Sequence, residues 1–129
     1  MHKVRKMSIL WLGVLTLTAA VILPQDLSAH HGWDWAEDEE FVITGKIVGV
    51  RLGNPHGEVT IEAEGGRWVI EVGQPWRNES AGLTPDLLSP GTVITAHGHR
   101  SSRKGERLVK AERIVIDGRS YNLYPVRES

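Results

Sequence analysis

Between Glu58 and Val72 the chain alternates apolar and polar residues on either side of Gly65-Gly66, and this pattern leaves little choice of fold. A period of two puts Val59, Ile61 and Ala63 on one face of a strand, and Trp68, Ile70 and Val72 on the matching face of the next. Adjacent glycines at the reversal supply the positive backbone torsions that a tight hairpin needs. A helix cannot use this pattern, because its apolar positions recur every three or four residues. The rest of the chain must then cover the apolar face of that hairpin.

Further strands are legible on both sides. Phe41–Leu52 is β-branched and alternating, with Gly45 and Gly49 at places where a strand would bulge or coil sharply. Gly53-Asn54-Pro55-His56-Gly57 reads as a turn. Gln74–Gly91 loses the alternation; its Asn78–Leu88 stretch holds at best a short helix, broken near Gly82 and Pro85. Thr92–Arg100 reads as a fourth strand, Ser101–Arg107 as a basic loop and Leu108–Ile116 as a fifth strand. Asp117-Gly118 then turns into a short return through Tyr121 and Leu123. Three strands, a short helical connection and two strands in about 80 residues is the order of a small five-stranded OB-like barrel, an all-β fold. A β-sandwich would want more strands at regular spacing. The expected core includes Ile43, Ile47, Val59, Ile61, Trp68, Ile70, Ile94 and Ile114.

Residues 1–29 read as an export signal. Lys3, Arg5 and Lys6 precede an apolar run, Met7–Leu23, that carries no charge. This run is near the lower limit for crossing a bilayer, so a retained anchor is the alternative. Pro24 and the small Ala29 favour cleavage after Ala29. The division that follows is a signal peptide (1–29), a polar lead segment (30–40), the barrel (41–124) and a short tail (125–129). The expected location is the bacterial periplasm or outside the cell, with no membrane contact once the signal is cut. Of 15 basic and 16 acidic residues, the signal holds three and one, which leaves the remainder at a net charge of −3. Such a balance argues against nucleic acid as a partner, since displacing counterions from phosphates needs a basic face. The chain has no cysteine, so disulfides, thiolate ligands and thiol nucleophiles are excluded.

Histidines are the chemistry-bearing residues that remain. Cleavage after Ala29 would make His30 the first residue, offering its α-amine and its imidazole to one metal ion. A third nitrogen from a histidine held by the fold would complete a T-shaped copper site, a histidine brace. His56 suits that role, because Pro55 stiffens its turn and the Asn54 side chain can cap it. His31 is adjacent and supporting. Ten residues separate His30 from Phe41, and an extended chain spans about 3.3 Å per residue, so reach is ample. Copper leads and zinc follows, because nitrogen-rich sites favour Cu2+ in the usual divalent order. His97 and His99 lie two apart on a strand and share a face, a spacing that suits an accessory metal pair or simply two outward histidines.

Other features read more plainly. Asp34–Glu40 carries five carboxylates in seven residues and reads as a solvated linker. Trp33 and Trp35 would cover a metal, stack on a sugar or pack on the barrel, and Trp76 reads as a cap on the core. No serine-nucleophile, phosphate-loop or zinc-protease motif is present, and no catalytic constellation is identified.

His30-His31-Gly32-Trp33 after a signal peptide, Thr44-Gly45 and Asn54-Pro55-His56 resemble an uncharacterised family of small exported bacterial proteins. So do Trp68-Val69-Ile70-Glu71, Gly82-Leu83-Thr84-Pro85-Asp86, Pro90-Gly91-Thr92-Val93, Ala111-Glu112-Arg113-Ile114 and Asp117-Gly118. The resemblance implies a periplasmic β-barrel domain with no established activity, in which His30, His31 and His56 act together. Two function classes stay open. One is an exported metal-binding module, for copper before zinc, acting as carrier, scavenger or sensor. The other is a metal-free envelope module that binds a protein, peptide or glycan through the barrel face.

Overall fold

The computed structural model describes residues 33–126. The signal segment, His30, His31 and the end of the tail lie outside the described residues. Six strands form one sheet: β1 (Phe41–Arg51), β2 (Glu58–Ala63), β3 (Gly66–Glu71), β4 (Val93–Arg100), β5 (Leu108–Ile116) and β6 (Arg119–Asn122). Their order is β3-β2-β1-β4-β5-β6, and a parallel pairing of β3 with β5 closes the first five into a barrel. The fold is the small OB-like barrel expected from the strand order, with β6 as a hairpin extension beyond it.

Closure depends on β1 serving two neighbours. Its first half, Phe41–Lys46, pairs with β4, and its second half, Lys46–Arg51, pairs with β2. A bulge between Ile47 and Gly49 bends the strand from one partner to the other. Gly45 has a different task from the one its position suggests. A Cβ there would overlap the Glu62 carbonyl, so glycine permits close approach of β1 and β2. A second bulge, in β5, leaves Glu112 without a partner position between Arg113 (opposite His97) and Ala111 (opposite Gly98). It reverses the inward parity of the strand, from Val109 and Ala111 to Ile114 and Ile116.

The interior is filled by Ile47, Val59, Ile61, Trp68, Ile70, Ile94, Ile114 and their neighbours, each buried. Ile43 is partly buried and packs against this cluster rather than within it. At roughly 1.5–3 kcal/mol per fully buried aliphatic side chain, burial of this set drives folding without disulfides. The helical connection begins earlier than Asn78: α1 spans Pro75–Ser80, with proline at its first turn, where a missing N–H costs nothing. A 3₁₀ turn, Pro85–Leu88, follows. Asn78 fastens α1 to the end of β3, because its side chain accepts from Gly73 N at 2.8 Å and donates to Gly73 O at 3.0 Å.

Candidate functional site

Closure sets charged residues side by side on the outside of one barrel end. Register places Arg51 opposite Glu58, Glu58 opposite Glu71, Glu71 opposite Lys110, and Lys110 opposite His99. The row therefore crosses all five barrel strands. Two like charges face each other at Glu58 and Glu71, an arrangement that needs cations nearby. Arg51 takes Glu58 at 2.7 Å, and Lys110 pairs with Glu71. His56 enters from the turn between β1 and β2, with Nε2 3.3 Å from Glu71 Oε2 and 4.0 Å from Glu58 Oε1.

Glu71 and Lys110 are covered although they point away from the core, their side chains being 8% and 9% exposed. Part of the cover is the turn Leu52–Gly57, in which the Asn54–Pro55 peptide is cis. Gly57, rather than the Asn54 side chain, fastens that turn: its N–H donates to Gly73 O, and its carbonyl accepts from Val72 N. The rest of the cover is the lead segment. Trp33 stands edge-on to His99 (5.8 Å between ring centroids) and to Tyr124 (5.2 Å), and its ring lies 5.4 Å from Lys110 Nζ.

The lead segment is thus not a free solvated linker. Ala36 bridges to Ser101, Glu37 N donates to Arg100 O, and Ser102 N donates to Trp35 O. Asp34 and Glu37–Glu40 remain exposed, so the carboxylates face water while the backbone is docked. Trp76 also departs from the sequence reading. It is 56% exposed instead of capping the core, and its indole N–H donates to Gln74 Oε1.

A cleft of about 220 Å3 opens beside the charged row, walled by Trp33, Pro55 and Tyr124 and carrying His56, Arg77 and Lys110. His56 is half-buried and, among the described residues, its Nδ1 meets no hydrogen-bond partner. Arg77 is held in place by the Leu123 carbonyl, which accepts from Nη1 at 3.0 Å, and by the Trp76 and Tyr124 rings at 4.6 and 4.2 Å.

His97 and His99 share a face of β4, yet other groups occupy them. Arg113 donates to His97 Nδ1 at 3.0 Å, with Glu40 Oε1 3.2 Å from the same atom. His99 places Nδ1 3.1 Å from Glu39 O and Nε2 3.1 Å from Glu112 Oε1. Oxygen atoms of Glu39 and Glu112 face its two ring nitrogens, so a metal would reach either nitrogen only by displacing one of them. Among the described residues, no group of three or more histidine and carboxylate side chains converges as a metal site.

Sequence reasoning missed Glu71, Arg77, Lys110 and Tyr124. The signal for Lys110 was faint but present: a lysine between Val109 and Ala111, in a strand that also carries Glu112 and Arg113.

No protein-family profile matches the chain, and no curated protein matches it. Among solved structures, the chain is similar to part of TiaS, a tRNA agmatidine synthetase. The ZRD-deleted mutant of TiaS in complex with agmatine aligns at a TM-score of 0.50 and 15% identity, over 70% of this chain and 28% of that one. The complex of TiaS with tRNA and ATP aligns at 0.46 and 18% identity, over 60% of this chain and 18% of that one. The chain therefore spans less than a third of the length of either match, and at such identity the likeness shows the barrel fold alone.

Proposed function

We propose that the protein is an exported Cu2+-binding module in which His56 and the histidine at a processed N-terminus share one ion. A single observation carries the reading: Trp33 and His56 line the same cleft. His30 is three residues before Trp33, a stretch of at most about 10 Å of extended chain. That distance supports the reading, because it keeps a donor at residue 30 within reach of the cleft.

Among the described residues of the cleft, His56 is the nitrogen donor for such an ion, and the Arg77 charge opposes it, so the donors of the N-terminus must carry the affinity. His56 keeps Nδ1 open while Nε2 lies against Glu71, and a carboxylate behind an imidazole fixes ring orientation and raises ligand basicity. Lys110 takes the other oxygen of Glu71, so that carboxylate is held from two sides. Bound Cu2+ would supply a Lewis-acidic centre with positions left for an exogenous ligand. Acidification would weaken binding, because protons compete for the same nitrogens. His31 supports the site, zinc is the second metal, and carrier, scavenger and sensor roles all follow from reversible binding.

The test is a Cu2+ titration of protein whose N-terminus has been verified as His30 by mass spectrometry. His56→Ala, and separately an extra alanine ahead of His30, should each lower affinity by more than about tenfold. Wild-type affinity in both variants would show that no shared site exists. Intact Met1 in envelope fractions would also defeat the reading, since His30 would then have no free α-amine.

A further inference from the structure

Arg77 is the one cation of the cleft whose charge nothing among the described residues neutralises. Lys110 is paired with Glu71, and His56 lies against the same carboxylate. Arg77, by contrast, pairs with no carboxylate among the described residues; its contacts are the Leu123 carbonyl and the Trp76 and Tyr124 rings. Rings hold a guanidinium by its face, and the carbonyl takes only Nη1. Nε and Nη2 keep donors in the edge geometry that matches a planar carboxylate. A side chain fixed from two directions also loses little freedom on gaining a ligand.

The remaining walls say what such a ligand carries. The lining is mainly polar, with Gln74 beside His56, Arg77 and Lys110, while Trp33, Pro55 and Tyr124 add a smaller apolar part to a space of about 220 Å3. We propose that the cleft is a receptor for a small organic carboxylate, its head on the Arg77 edge and its apolar body against Trp33 and Tyr124. Inorganic phosphate would satisfy the guanidinium but leave both rings without contact. The inference needs no metal in the cleft, and because the copper reading would use the same space, the metal-free chain tests the two apart.

The test uses the full chain freed of metal over a chelating resin, with benzoate as the probe and benzamide as its uncharged counterpart. Two-dimensional 1H–15N NMR follows the Arg77 Nε–H and the Trp33 indole, assigned through Arg77→Met and Trp33→Phe. Benzoate should shift both signals saturably, with a Kd on the order of 1 mM for a ligand of that size. Benzamide should bind at least about tenfold more weakly, and Arg77→Met should lower benzoate affinity by about tenfold or more. Thermal unfolding of the variant separates lost binding from lost folding. The wild-type shift map needs no variant at all. Equal binding of benzamide, saturable shifts away from the cleft, or phosphate binding as tightly as benzoate would each overturn the proposal.

Discussion

Lys110→Met removes one charge from a pair that the barrel end encloses and leaves the stem of the side chain nearly unchanged. Glu71, 8% exposed, would keep its charge with only half-buried His56 beside it. Breaking a buried ion pair by deleting one partner costs about 3–5 kcal/mol. The imidazole at 3.3 Å offsets part of this, so the lower end, about 3 kcal/mol, is the expected loss. That is a large share of the roughly 5–15 kcal/mol that holds an ordinary domain together. For a domain of this size it lowers Tm by about 12–24 °C. Lys110→Met/Glu71→Leu removes both charges and should recover to within about 1 kcal/mol of wild type, since an apolar pair of similar volume is no worse there. Urea unfolding of wild type, both single variants and the double variant, followed by far-UV circular dichroism, closes the cycle. A loss below about 1 kcal/mol for Lys110→Met, or additivity of the two single losses, would refute the idea that the charges are held by each other.

Two further substitutions probe the frame around the site. Gly98→Ala should cost more than about 2 kcal/mol, because its Cβ would overlap the Lys110 carbonyl across the β5 bulge. Gly49→Ala, whose nearest neighbours are Thr60 side-chain atoms at 3.8 and 3.9 Å, should change stability by less than about 1 kcal/mol. Equal urea midpoints for these two variants would contradict the assigned bulge geometry. Asn78→Ala should cost about 2–3 kcal/mol, since it strips the buried Gly73 N–H of its partner. A thermal shift within error of wild type would mean that α1 is anchored by other contacts.

The strands were readable because alternation and turn chemistry agree along most of the barrel. Asp117 and Gly118, with φ of 49° and 74°, adopt the torsions that their types announce at a hairpin. The site was less readable, and the reason lies in which strands meet. Alternation assigns Glu71 and Lys110 to an outward face, where a lone strand would leave them in water. Only the parallel register of β3 with β5 sets them opposite each other, and only Trp33 and the Pro55–His56 turn then cover them. The bulge at Glu112 hides in the same way, because nothing in the run Lys110-Ala111-Glu112-Arg113 marks which residue lacks a partner across the strand pair. The lead segment misleads for another reason. Its carboxylates report correctly that side chains face water, whereas the docking runs through backbone groups that every residue type shares. Trp76 shows that aromatic character alone does not specify burial when a proline-led helix turns the ring outward.

The edge-on contact of Trp33 with Tyr124 has a mechanical consequence. The described chain enters the barrel beside one ring and leaves it beside the other, so the cleft lies in series with both flanks. Trp33 and Tyr124 therefore tie the two flanks to each other as well as to the sheet. A ligand seated in the cleft would touch both flanks at once, and by binding only the docked arrangement it would hold them together.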